Sequence, residues 1–205
     1  MYSSRSSSIG VSYDLRHGET AFGEALEIDV AVGPVPSDGP GTGAVGSGDA
    51  FAVGDNTLAV AIADVAVEGG SVDASVGTFA AAEGAADEFV YAATVAELDA
   101  WGGGQSGVWM SYSHSGYATD GIVAEATSTS TTSLVTVDPW SQSADIDLDP
   151  FDTADLDVAG LEGSAAIYDI DVFARGENSF ANLDLSAFSL EDFSTVSFLA
   201  VAEIA

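Results

Sequence analysis

A chain of 205 residues with 33 acidic side chains, three arginines (Arg5, Arg16 and Arg175) and no lysine has a formal charge of -30. Nucleic-acid binding and attraction to anionic membranes both need basic side chains, so these two classes of partner are all but excluded. Cysteine is absent, which removes disulfides, thiolate metal sites and cysteine nucleophiles together, while 47% hydrophobic residues supply enough apolar surface for a packed core.

Residues 1–8 are Ser-rich and read as a flexible leader. Ile9, Val11, Tyr13 and Leu15 share one parity and predict a short strand over 9–15. Leu26, Ile28, Val30 and Val32 alternate with Glu27 and Asp29 and predict a second over 25–32. Residues 33–48, GPVPSDGPGTGAVGSG, lack periodicity and read as a surface loop. The stretch 58–83 reads as a hairpin on Gly69-Gly70, because a two-residue turn of this kind needs positive φ at both positions. That register sets Glu68 opposite Ser71, Val67 opposite Val72 and Val65 opposite Ala74. The apolar parity shifts from even (Leu58, Val60, Ile62) to odd (Val65, Val67). Either a bulge lies near Ala63-Asp64, or the outer half is buried on both faces.

A strand is expected over 87–93. Thr94-Val95-Ala96-Glu97 then has capping-box spacing and glycines follow Trp101, which predicts a short helix over 95–101. Strands are expected over 107–112 and 122–127, with a polar aromatic loop at 112–117 around His114. A Ser/Thr run over 127–133, polar and β-prone, continues into 134–137, and Pro139 ends that strand. In the last third, strand candidates at 145–149, 156–158, 165–173, 181–185 and 195–204 are separated by turn signals at Pro150, 160–163 and 176–178. Residues 189–192 could open one helical turn. The expected fold is mainly β: a single antiparallel β-sandwich or barrel-like domain of short strands over 9–205, with one or two short helices. A second domain, if present, would begin near 139–150.

The best candidate site is acidic. Asp145, Asp147 and Asp149 alternate on one strand face, and Asp152, Asp155 and Asp157 follow within eight residues. Like charges so close repel unless they are solvated or neutralised by a cation, and hard carboxylate oxygens suit Ca²⁺. The cluster is not an EF-hand, since Pro150 stands where that loop needs Gly and Leu156 where it needs Glu. A solvated acidic face is the alternative. Tyr112, His114 and His17 are the residues that could ligate haem iron. Trp101, Trp109 and Trp140 could stack on sugars if they shared a surface, with core packing as the default. No Gly-x-Ser-x-Gly elbow exists, and no lysine is available for a phosphate loop, so no enzyme chemistry is singled out.

Self-repulsion at this charge calls for salt or divalent cations, which suits a marine, halophilic or extracellular setting. No run approaches the ~20 apolar residues of a membrane span, and the N-terminus lacks the continuous apolar region of a secretory signal. The composition and the acidic, apolar ending SFLAVAEIA resemble substrates of type I secretion. That resemblance implies export without a cleaved signal peptide, although the Gly-Gly-x-Gly-x-Asp calcium repeats of many such proteins are absent. Val11-Ser12-Tyr13-Asp14 is similar to the start of the small haem carriers exported by that route. Only those four residues carry the likeness, which implies haem capture through a Tyr/His pair. Taken together, the residues lead to the expectation of a non-enzymatic extracellular structural protein. Both termini read as edge strands, so self-association would build a fibre, surface layer or matrix. A secreted, calcium-dependent adhesion or ligand-binding module, for glycan or haem, is the alternative.

Overall fold

The computed structural model describes residues 5–17, 20–34, 41–85, 89–102, 106–119, 122–136 and 163–205. Among them are eleven strands and no helix. In chain order these are β1 (Arg5–His17), β2 (Thr20–Pro34), β3 (Thr42–Val53), β4 (Asn56–Glu68), β5 (Ser71–Glu83) and β6 (Tyr91–Trp101). They continue as β7 (Ser106–Thr119), β8 (Val123–Thr136), β9 (Ser164–Arg175), β10 (Ser179–Leu190) and β11 (Phe193–Ile204). One sheet has seven strands in the order β1-β2-β7-β8-β5-β4-β9, and the other has four in the order β10-β11-β3-β6. Every neighbouring pair is antiparallel except β4 with β9. The smaller sheet lies on part of the larger one: β6 on β8, β3 on β5 and β4, β11 on β4 and β9, and β10 on β9. The mainly β, antiparallel character expected from alternation is therefore present.

The hairpin on Gly69-Gly70 is β4 and β5. Its register runs unbroken from Asn56 opposite Glu83 to Glu68 opposite Ser71 and includes all three pairs expected from the sequence. Gly69 and Gly70 have φ of 61° and 86°, the positive values the turn demands. There is no bulge in this ladder. The parity shift arises instead because residues 57–61 are buried on both faces. Ala59, Ala61, Val65 and Val67 point into the main core, while Leu58 and Val60 join Phe79 and Ala81 in a second cluster on the opposite face.

The core between the sheets is built from small residues. Ala44, Ala50 and Ala52 of β3 and Ala200 and Ala202 of β11 meet Ala59, Ala61, Val76 and Ala80 of the larger sheet. Side chains this short let the layers approach, and glycine carries the trend further. A Cβ placed on Gly46 would come within 2.8 Å of Val76 Cγ2. One placed on Gly48 would come within 2.5 Å of Phe198 Cε1 and 2.7 Å of Thr78 Cγ2. This corrects the reading of 33–48 as one loop, because residues 42–48 are the first half of β3 and are hydrogen-bonded on both sides by β11 and β6. Gly46 and Gly48 mark close sheet packing, and Gly43 makes room for the Trp101 ring of β6, so none of them marks a flexible connection.

Several other expectations are corrected in the same way. The helix over 95–101 is absent, and those residues are the body of β6. Ala92, Ala96, Leu98 and Ala100 face the core, and Val95, Glu97 and Asp99 lie on the other parity, so the period is two. Thr94, the supposed cap, instead reaches across to the larger sheet, where its Oγ1 lies 3.0 Å from Ser128 Oγ. Thr78 Oγ1 donates to the Val95 carbonyl at 3.1 Å, so two hydroxyl contacts tie β6 to β5 and β8. The helical turn at 189–192 is a hairpin loop, with Leu190 paired to Phe193 around Glu191-Asp192. The loop at 112–117 is the middle of β7, held between β2 and β8. β8 joins the strand expected over 122–127 to the β-prone Ser/Thr run at 127–133 without a break. Nor are the strands short. They run 11 to 15 residues, because Ser, Thr, Ala and Gly inside them do not interrupt the ladders. β6 begins at Tyr91, with residues 89 and 90 outside it, and β1 begins at Arg5, inside the Ser-rich stretch.

Candidate functional site

The acidic residues Asp145, Asp147, Asp149, Asp152, Asp155 and Asp157 proposed for Ca²⁺ lie outside the described residues, as does Trp140. So do the strand candidates at 145–149 and 156–158. Among the described residues no three His, Asp or Glu side chains converge as a metal site. His17 ends β1 opposite Thr20, whereas His114 lies on β7 opposite Leu26. Those partners are six positions apart on β2, roughly 20 Å at the rise of a strand, so one small ligand cannot engage both histidines. Tyr112 lies two positions from His114 on β7, opposite Ile28.

Two carboxylates do meet. Asp64 of β4 and Asp171 of β9 are direct partners in the parallel ladder, on the face opposite the main core. Burial lifts the Asp64 carboxyl above its ordinary value of 3.8, and the Asp171 charge pushes it the same way. Four positions on, Glu68 pairs with Arg175 at 3.1 Å, an exposed contact that screens neither aspartate directly. A raised folded-state value means that the stability tied to protonated Asp64 is complete below 3.8 and is lost as pH rises through the folded value. Asp64→Asn should therefore raise the urea midpoint at pH 7 and leave it nearly unchanged at pH 3. An equal shift at both values would show that charge is not the cause.

The outer face of the smaller sheet holds a feature that no motif announces. Phe188, Phe193, Phe51, Tyr91 and Phe89 form a row across β10, β11, β3, the start of β6 and the segment leading into it. Phe188 and Phe193 are 6.0 Å apart between ring centroids, Phe193 and Phe51 5.1 Å, and Phe51 and Tyr91 6.0 Å. Phe89 stacks on Tyr91 at 6.1 Å. All but Phe193 are exposed, and Leu190 extends the patch. The carboxylates of this face, Asp49, Glu97, Asp99, Asp184 and Glu203, sit further along the strands. Exposed apolar groups gathered this way mark an interaction surface more often than scattered ones. Part of the signal was present in the sequence: Phe51 has the parity opposite to the Ala50 and Ala52 that flank it, and Phe188 the parity opposite to Ala187.

The sheet edges differ from one another. β1 closes one end of the seven-stranded order and β9 the other, while β10 and β6 bound the smaller sheet. The C-terminal strand is not an edge, contrary to expectation, since β11 is paired on both sides by β10 and β3. Its hairpin partner takes the edge instead. Every residue of β10 except Leu185 is exposed, including Phe180, Leu183, Phe188 and Leu190. Beside it, β9 exposes Ile167, Tyr168 and Phe173. Ser164 Oγ donates to the Glu191 carbonyl at 2.8 Å and Ser189 Oγ to the Ser164 carbonyl at 2.7 Å, which pins β9 to the end of β10. No helix of the described residues is long and apolar enough to cross a membrane. Trp101 packs against Gly43 across the β3–β6 ladder, and Trp109 lies on β7, two strands on different sheets. Compared with protein-family models, curated proteins and solved structures, the chain matches none.

Proposed function

We propose that this chain is a non-enzymatic extracellular structural subunit, a β-sandwich that associates with copies of itself into a fibre, surface layer or matrix. The observation that carries the reading is β10. It is a twelve-residue edge strand without proline, exposed along nearly its whole length, with Asp184 as its one charged residue. An open edge of this kind offers a row of unpaired N–H and C=O groups, and monomeric proteins normally blunt it with charge, proline or a cover. A second long edge, β1, ends the other sheet. The charge of -30 opposes indiscriminate aggregation and makes association depend on salt or Ca²⁺. The acidic segment 145–157 is the part of the chain proposed to take up that calcium, and export by a signal-peptide-independent route fits its ending. Electron microscopy of the purified protein should show ordered assemblies at high salt or with Ca²⁺ and dispersed particles at low salt. A monodisperse monomer under every condition would overturn the reading.

A second reading, a secreted calcium-dependent adhesion module, is favoured by the aromatic row. Ring faces stack on the C–H faces of sugars, and four of the five rings are exposed. A glycan array probed with the protein, and repeated with Phe51→Ala, separates the two. Binding lost in that variant supports adhesion, and no binding to any glycan removes it.

A further inference from the structure

We propose that copies join head to tail, the β1 edge of one adding to the open β10 edge of the next. The inference rests on the reading that the chain self-associates, and it names the two surfaces that meet. β1 ends the seven-stranded order, whereas β10 ends the four-stranded order and packs on β9, the opposite end of the larger sheet. The two open edges therefore lie on opposite sides of the molecule. They also match in length, at 13 and 12 residues. A contact between two different edges is heterologous: its repetition extends a filament where the rotation between copies does not close a ring.

Charge favours this pairing over like edges meeting like. Arg5 and Arg16, two of the three cationic residues of the chain, stand near the two ends of β1, with Asp14 as its one acid. β10 carries Asp184 and is bracketed by Glu177 at its start and Glu191-Asp192 at its end. Whether the added strand runs parallel or antiparallel, each Arg falls beside an acidic end. Two antiparallel β1 strands would instead bring Arg5 toward Arg16, and two β10 strands would bring acid against acid, both unfavourable. β9 opens on the same side as β10, but Arg175 stands at its end. Within a chain of charge -30, the single cationic edge and an acidic, apolar edge are complementary parts of one contact.

The absence of cysteine makes the geometry directly readable. Ser8→Cys and Ser186→Cys proteins, each confirmed as folded by circular dichroism, are mixed under assembling salt with a short bismaleimide linker. The mixture should yield the mixed dimer, and neither protein alone should crosslink. Homodimers of either variant with assembly intact would overturn head-to-tail joining while leaving self-association standing; no assembly at any salt or calcium level would overturn both. As a second arm, R5E/R16E and E177R/E191R should each need about tenfold more protein to assemble. Mixed in equal amounts they should co-assemble at the wild-type threshold, since each then offers the edge the other requires. Failure of the mixture to recover, with both variants folded, would overturn the pairing.

Discussion

Phe198→Ala should lower the unfolding free energy by about 3–5 kcal/mol, the range seen when a buried aromatic ring is truncated. Phe198 is 4% exposed on the inner face of β11, and it is the one aromatic ring in the main core cluster among the described residues. Its neighbours there are chiefly alanine and valine. Short, stiff side chains fixed in two hydrogen-bonded sheets cannot swing into a vacated space, so the cavity persists and the loss falls at the upper part of the range. Urea unfolding at fixed, high salt is the measurement, because salt by itself changes the stability of a chain this acidic. A loss below about 1.5 kcal/mol would mean that the sheets can close over the gap.

The β4–β5 hairpin was legible because its signals are local. Gly69-Gly70 fixes the turn, the turn fixes the register, and thirteen pairs follow without reference to the rest of the chain. The helix predicted over 95–101 failed for the complementary reason. The Thr94-to-Glu97 spacing is a local capping signal, but β3 on one side and the Thr78 and Ser128 hydroxyl groups on the other supply contacts that sequence spacing does not show. Tertiary pairing overrides propensity where a segment is short and alanine-rich. The glycines of β3 misled in another way. Gly43, Gly46 and Gly48 have the composition of a loop, yet each is where a neighbouring side chain comes too close for a Cβ.

The association surfaces were legible only in part. The N-terminal strand was expected as an edge, and β1 is one. That the edge of the smaller sheet would be β10 rather than β11 depends on β3 pairing with β11, a contact at least 140 positions apart in sequence, as for Val53 with Phe193. No local pattern encodes it. The aromatic row has the same origin. Phe51, Tyr91, Phe188 and Phe193 come from four strands and meet only once the order β10-β11-β3-β6 is set.

Replacing Gly48 tests the same seam from its other side. Gly48→Ala should cost about 1–3 kcal/mol by overpacking, and Gly48→Val, with two further methyl groups, should leave the smaller sheet unable to dock. The added Cβ would lie 2.5 Å from Phe198 Cε1 and 2.7 Å from Thr78 Cγ2, and neither neighbour can yield. Phe198 is hemmed in by the core, and Thr78 is fully buried with its Oγ1 donating to the Val95 carbonyl. Because glycine and ring compete for one space, their substitutions should not be additive. In the Phe198→Ala background the methyl of Gly48→Ala enters the vacated volume, so its cost should fall and the double variant should be more stable than the sum of the single losses predicts. The double-mutant cycle, measured by urea unfolding, reads that coupling. Strict additivity would mean that Gly48 is required by its backbone rather than by the ring above it. Since β3 carries both the core contact and the outward Phe51, loss of this close approach should also scatter the aromatic row, and the smaller sheet would lose its inner and outer faces together.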